Sequence, residues 1–218
     1  MKLFLDTANL EEIREINEWG VLGGITTNPS LIAKEKPNDW IAHAKEICTI
    51  VDGPVSLETT TTDVQDLIEE GRQLSSVSPN VVVKVVSTPQ GLGACKALSS
   101  EGINVNVTLV FSSAQAVLAA EAGAFIVSPF LGRLDDISSD GINLLADICG
   151  IYHAQGYESR VLAASLRNPM HVVESARLGA QIASMPYKVF KQLIQHPLTE
   201  AGIKAFTEDW ETLQKEQR

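Results

Sequence analysis

The chain has 218 residues with a formal charge of −10, from 17 Lys and Arg against 27 Asp and Glu, and is 44% hydrophobic and 20% charged. Such a composition buries a core, which excludes disorder as the main state, and the length predicts one domain over residues 1–218. An acidic surface without a Lys/Arg cluster excludes nucleic acid as an expected partner, and no apolar run nears the ~20 residues that span a bilayer, so no membrane is expected either.

Short β-branched runs alternate with longer helical patterns along the whole chain. A strand is predicted over 3–6 and a helix over 9–19, then a strand over 24–27 and a helix over 40–51. The pattern repeats with strands over 55–58, 81–86 and 104–109, followed by helices over 64–76, 91–100 and 112–122. Strands over 125–129, 160–165 and 181–185 complete it, with helices over 141–154, 169–178 and 187–195 and a last amphipathic helix over about 199–215. Asn9, Ser112 and Asn168 read as helix caps, and Gly20, Gly102, Gly123, Gly156 and Gly179 each follow a helix and precede a strand.

Strand alternating with helix implies parallel pairing. Eight repeats without a linker imply an α/β fold closed as a (β/α)8 TIM barrel, with an extra C-terminal helix. A doubly wound open sheet is the alternative. It is weakened because the first strand-to-helix turn, Asp6-Thr7-Ala8-Asn9, lacks a glycine-rich phosphate loop. Walker, Gly-x-Ser-x-Gly and His-Glu-x-x-His motifs are also missing. Asp6 arrives too early for the apolar region of a secretory leader, which predicts a cytoplasmic protein. Cys48, Cys95 and Cys149 are far apart and read as reduced core thiols, not metal or redox groups.

In such a barrel the active site lies at the C-terminal strand ends. Strand one ends at Asp6, strand two at Asn28 and strand three at Glu58; strands five, six and seven end with Asn106 and Thr108, Ser128 and Phe130, and Ser165 and Arg167. Members of each pair are two residues apart and so project to one face. Lys84 lies inside Val81-Val82-Val83-Lys84-Val85-Val86, where burial disfavours a charged amine and favours one free to attack a carbonyl. It reads equally as a structural lysine paired with a buried carboxylate or reaching to solvent. Asp6 reads as a general acid/base or as a helix cap, Glu58 as a catalytic or a solvated loop acid, and Asn28 before Pro29 as a turn residue. Ser165, Arg167 and Arg133 are the candidate anion holders, each also readable as a surface or capping residue. His43, His153, His171 and His196 fall on helices or a helix connection away from strand ends, which leaves carboxylates and lysine for proton transfer. The acidic stretch 134–141 reads as a loop rim, since Asp135, Asp136 and Asp140 lack calcium-loop spacing.

The segments Leu3-Phe4-Leu5-Asp6-Thr7-Ala8-Asn9, Thr26-Thr27-Asn28-Pro29-Ser30-Leu31, Val83-Lys84-Val85-Val86-Ser87-Thr88, Asn106-Val107-Thr108-Leu109-Val110-Phe111, Ser128-Pro129-Phe130-Leu131-Gly132-Arg133 and Ala163-Ala164-Ser165-Leu166-Arg167-Asn168 occur in this order. Together they resemble the transaldolase family in its short form. The resemblance implies a class I aldolase barrel in which Lys84 is the Schiff-base lysine, Asp6 the acid/base, and Glu58 with Thr108 the holders of a catalytic water. It implies that Asn28, Asn106 and Ser128 grip a dihydroxyacetone unit and that Arg133, Ser165 and Arg167 bind phosphate, with sugar phosphates as substrates and no metal or organic cofactor. The related fructose 6-phosphate aldolases typically carry glutamine and tyrosine where this chain has Glu58 and Phe130. A homo-oligomer is also implied, a ring-built decamer in the short relatives, with Phe206 and Trp210 on the C-terminal helix suited to docking on a neighbour or on the home barrel. A sugar-phosphate-binding barrel without catalysis and a simple isomerase are the other readings, opposed by the intact Lys84, Asp6 and Glu58 and by the lack of a strand-end histidine.

Overall fold

A computed structural model, which describes residues 1–217, closes eight parallel strands into a barrel in sequence order. The strands are β1 (Lys2–Asp6), β2 (Leu22–Thr26), β3 (Val55–Glu58), β4 (Val81–Val86), β5 (Val105–Val110), β6 (Ile126–Pro129), β7 (Arg160–Ala163) and β8 (Ile182–Met185). β1 closes the ring by pairing with β8 from Lys2 against Ile182 to Leu5 against Met185. Around them run α1 (Leu10–Glu18), α2 (Pro29–Glu35), α3 (Trp40–Ile50), α4 (Val64–Ser75), α5 (Pro89–Ser100) and α6 (Ser113–Glu121). The second half supplies α7 (Leu131–Asp135), α8 (Gly141–Gln155), α9 (Pro169–Arg177), α10 (Tyr187–Gln192) and α11 (Pro197–Glu216).

Period-two alternation along the strands makes two cores. Leu5, Val83, Val85, Val105, Val107, Val127 and Val161 face outward into the layer shared with the helices, and all are essentially inaccessible. Phe4, Val82, Ile126, Leu162 and Ile182 form a separate cluster and plug the barrel interior. Two residues further along the strands the interior turns polar: Asp6, Lys84, Ser128 and Ser184 stand directly above that plug. The polar layer is the floor of the open end. Gly24 makes the plug possible, since a Cβ there would lie 2.5 Å from Cζ of Phe4 and 2.6 Å from the Pro54 carbonyl oxygen.

Helix ends follow the sequence reading. Asn9 accepts from the backbone N–H groups of Glu11 and Glu12, Ser112 from Gln115 and Asn168 from His171. Gly156 ends α8 in the left-handed region at φ 68°. Cys48 and Cys95 are buried free thiols, and burial pushes them up to about 11 and about 12, which suits inert core residues.

Three differences from the sequence reading bear on the site. The short helices α2 and α7 were not expected, because seven and five residues are too few to show a helical period. β2 starts at Leu22, ahead of the expected 24, since Gly23 and Gly24 hide its strand character. β7 stops at Ala163 instead of 165, because Ser165 takes φ 58°, so Ser165 and Arg167 do not alternate on one strand face. Among the described residues no helix is long and apolar enough to cross a membrane. α11 buries none of its residues, and Ile203, Phe206 and Trp210 are 62%, 76% and 60% exposed.

Candidate active site

A cavity of about 410 Å³ opens at the C-terminal strand ends. Its walls bring together Asp6, Asn28, Lys84, Thr108, Ser128, Phe130, Arg133, Ser165 and Arg167, nine of the eleven residues singled out from sequence. Glu58 faces a second, largely apolar cavity of about 370 Å³, which shares Asn28 with the first. Asn106 lies wholly buried in the floor beneath.

Lys84 is placed by register. Glu58 of β3, Lys84 of β4 and Asn106 of β5 are direct neighbours across three strands. With a side chain only 5% exposed, Lys84 donates an N–H group to the carbonyl oxygen of Thr27 at 2.9 Å, and its Nζ is ion-paired 2.9 Å from Oε2 of Glu58. The two readings from sequence therefore meet in one residue: the lysine is paired with a buried carboxylate, and it lines the cavity. Glu58, whose side chain is 13% exposed, is no solvated loop acid.

Asp6 stands at the end of β1, opposite Thr26 of β2. Thr26 donates its hydroxyl to Oδ1 of Asp6 at 2.8 Å and shares a 2.6 Å contact with the hydroxyl of Ser184. Because the Thr26 proton goes to the carboxylate, Ser184 is the donor in that contact, and the two hydroxyls form a relay ending on Asp6. Burial raises the Asp6 carboxyl above its ordinary value, opposed first by the Thr26 hydrogen bond and then by the ammonium of Lys84. It caps no helix, since Asn9 does so for α1.

Asn106 is a joist of the floor. Its amide donates to Oγ of Ser56 at 3.1 Å and its carbonyl accepts from Oγ of Ser128 at 2.7 Å, which fixes the Ser128 hydroxyl at the cavity wall. Thr108 differs. Its hydroxyl is, among the described residues, the only buried side-chain N or O atom without a hydrogen-bond partner. Buried polar atoms are otherwise satisfied, so an orphan facing a cavity marks the place of a small polar ligand. Leu109 follows it at φ 55°, where β5 slips register against β6 between Val107 and Val110. Left-handed backbone at a leucine costs roughly 1–2 kcal/mol, strain of the kind that accumulates at functional sites.

The side of the cavity that carries Arg133, Ser165 and Arg167 is built by α7 and the turn after β7. Gly132 donates its N–H to the Ser165 carbonyl oxygen at 3.1 Å, and a Cβ on Gly132 would fall 2.2 Å from that oxygen and 2.4 Å from Nε of Arg167. Arg133 rests over the Phe130 ring with its guanidinium carbon 5.1 Å from the centroid, so the aromatic face holds the cation at the mouth. Arg167, also lining the cavity, gives one N–H group to Oδ2 of Asp136 at 2.7 Å. His171, read from sequence as remote from strand ends, reaches this corner: its ring lies 3.4 Å from Asp135 and 3.4 Å from the Arg167 backbone N–H. The acidic stretch is a rim, in which Asp135 accepts from Gly141, Asp136 holds Arg167 and Asp140 caps α8.

Sequence reasoning missed Thr26, Ser184 and Lys34, all cavity-lining. Lys34 lies on the unforeseen helix α2. Ser184 gave a usable signal, a hydroxyl inside the apolar run Ile182-Ala183-Ser184-Met185.

A buried lysine bridged to a carboxylate, a second carboxyl raised by burial and two arginines at the mouth can form an imine, move a proton and hold an anionic group. Comparison with known proteins points the same way. The family model described as Transaldolase/Fructose-6-phosphate aldolase matches residues 3–217. A probable transaldolase of Brevibacillus brevis is 54% identical over 215 residues, covering 99% of this chain and 100% of the relative. Probable transaldolases of Thermus thermophilus and Clostridium acetobutylicum are 55% and 54% identical, covering 97% and 96% of this chain and 98% and 97% of theirs.

Proposed function

The chain belongs to the transaldolase/fructose-6-phosphate aldolase family, and we propose that it serves there as a transaldolase. It transfers a dihydroxyacetone unit from a ketose phosphate, fructose 6-phosphate or sedoheptulose 7-phosphate, to an aldose phosphate, erythrose 4-phosphate or glyceraldehyde 3-phosphate, in the pentose phosphate pathway. The observation that carries this reading is the Lys84–Glu58 bridge at the cavity floor.

Lys84 must first lose a proton, and Glu58 at 2.9 Å is placed to take it. The amine then attacks the ketone carbon, and loss of water leaves an imine. A water held between Glu58 and the orphan hydroxyl of Thr108 shuttles protons in this step and in the final hydrolysis. Asp6 takes the proton from the hydroxyl on the departing carbon of the breaking C–C bond. The bonding pair moves into the imine, giving an enamine in place of a bare carbanion, and the aldose departs as an aldehyde. The acceptor aldehyde enters, the enamine carbon forms the new bond, and Asp6 returns its proton to the new hydroxyl. Asn28 and Ser128, with Asn106 behind Ser128, hold the hydroxyls of the three-carbon unit. Arg133, Ser165 and Arg167 hold the phosphate, whose remote binding energy orients the reacting carbons.

Glu58 and Phe130 favour transfer over aldol cleavage. Phe130 brings no hydroxyl that would protonate the enamine, so the enamine waits for an acceptor. Release of glyceraldehyde 3-phosphate from fructose 6-phosphate should therefore depend on erythrose 4-phosphate; equal release without acceptor would make the protein an aldolase. The exposed apolar residues of α11 support a homo-oligomer, which we take to be a decamer with α11 docked on a neighbouring copy. We place the protein in the cytoplasm, whose reducing conditions suit three free cysteines.

A further inference from the structure

Glu58 ends β3, and the chain then runs Thr59-Thr60-Thr61-Thr62 to Asp63, the cap of α4. This end of the strand has little ladder to hold it on one side. β3 pairs with β2 only through Val55 and Ser56, two residues short of Glu58.

The loop is restrained instead from above. Thr59 donates its backbone N–H to the Lys84 carbonyl oxygen at 3.0 Å and its hydroxyl to the same oxygen at 3.3 Å. Thr60 and Thr61 both turn to one carboxylate, that of Glu70 on α4. The Thr60 N–H lies 3.0 and 2.9 Å from the two Glu70 oxygens and its hydroxyl 2.9 Å from Oε1. The Thr61 N–H and hydroxyl reach Oε2 at 3.1 and 2.9 Å. Four donors from two consecutive residues thus converge on one side chain, and among the described residues no Lys or Arg competes for it. Each bond is charge-assisted and about twice as strong as a neutral one.

A surface loop gains little from such a clamp unless what it positions matters. What lies two residues before Thr60 is the carboxylate bridged to Lys84. We propose that Glu70 is a positioning residue which, through Thr60 and Thr61, fixes the end of β3 and so holds Glu58 against Lys84 during the proton transfers of imine formation and hydrolysis. This rests on the reading that Glu58 serves Lys84.

The test is a double-mutant cycle on the full-length protein with Glu70→Ala and Glu58→Gln, measuring kcat and KM for transfer from fructose 6-phosphate to erythrose 4-phosphate. Small misplacement of a catalytic group costs up to about a hundredfold, so Glu70→Ala should lower kcat by about tenfold or more. KM should stay within about twofold, since no substrate contact is lost, and Glu70→Gln, which keeps one acceptor oxygen, should fall between. In the Glu58→Gln background the Glu70→Ala effect on kcat should shrink to within about twofold, the ordinary tolerance of additivity. An equal loss in both backgrounds, or a lower melting temperature with kcat unchanged, would overturn the role of Glu70 alone. Should Glu58→Gln by itself leave kcat unchanged, both the reading of Glu58 and the proposal fail. If Glu70→Ala does not fold, Glu70→Gln carries the same cycle.

Discussion

Replacing Lys84 by Met keeps an unbranched side chain of nearly the same volume, one atom shorter, while removing the ammonium. Glu58 is then left with a side chain only 13% exposed and no counter-ion, and the Thr27 carbonyl oxygen loses the Lys84 donor. Removing one member of a buried pair costs about 3–5 kcal/mol, and the lower end applies because Glu58 keeps some contact with solvent. A lost hydrogen bond to a backbone carbonyl adds about 1 kcal/mol. The sum is about 4 kcal/mol, and at roughly 2–4 °C per kcal/mol for a chain of this size the melting temperature should fall by about 8–16 °C. Replacing both partners, Lys84→Met with Glu58→Leu, removes the stranded charge and should recover most of the loss. Circular dichroism melts of the parent, the single and the double variant at one protein concentration and pH 7 decide the matter. A single variant melting within about 2 °C of the parent, or a double variant less stable than the single, would refute the view that the bridge holds the cavity floor. Both variants should be devoid of turnover, since neither can form the imine.

Arg133→Ala and Arg167→Ala should each lower kcat/KM for fructose 6-phosphate by about tenfold to a hundredfold, the worth of a charge-assisted hydrogen bond, yet spare unphosphorylated dihydroxyacetone donors; equal losses for both donors would remove the arginines from the phosphate site. Burial raises the Asp6 carboxyl, and Asp6 must be ionised to accept a proton, so kcat/KM should fall on the acid side at a higher pH than an ordinary carboxylate gives. Thr26→Val, which removes the strongest opposing influence, should move that limb further up, and a limb that stays or moves down contradicts the assignment. The same raised pKa means that ionised Asp6 costs folding free energy above it, a cost that shrinks as pH falls below the raised value and is gone below the ordinary carboxyl value. Asp6→Asn should therefore stabilise the fold at pH 7 and lose that advantage in acid, as urea titrations at several pH values would show. Phe130→Tyr, more so with Glu58→Gln, should raise acceptor-independent release of glyceraldehyde 3-phosphate relative to transfer, and an unchanged ratio would take these positions out of the control of proton delivery.

The barrel was legible because each strand and helix carries its own period, and the cavity floor because a charge inside a valine run has few physical explanations. Asp6, Glu58, Thr108 and Ser128 follow from asking which polar residues end a strand, and Lys84 from its place inside Val81–Val86. Contacts set by closure of the ring were out of reach. Ser184 meets Thr26 across 158 positions of sequence, and only the closed barrel brings β8 and β2 to either side of β1. Backbone departures from strand geometry were equally hidden. Ser165 at φ 58° ends the alternation on which the pairing with Arg167 was inferred, so both residues reach the cavity from a turn that period-two reasoning does not describe. Lys34 was missed for want of length, as its helix is two turns long and begins at a proline capped by Asn28. Asn28 itself shows how two readings coexist: its Oδ1 caps α2 through the Leu31 N–H, and the residue still lines the cavity.

Everything in this chemistry passes through a covalent bond between Lys84 and the ketose, which can be trapped. Borohydride added to the protein with fructose 6-phosphate reduces the imine to a stable amine, and peptide mass mapping then locates the bound sugar fragment. The expected product is a mass-shifted peptide containing Lys84, absent without sugar and absent in Lys84→Met. An adduct on another lysine, or none from a preparation that is turning over, would contradict it.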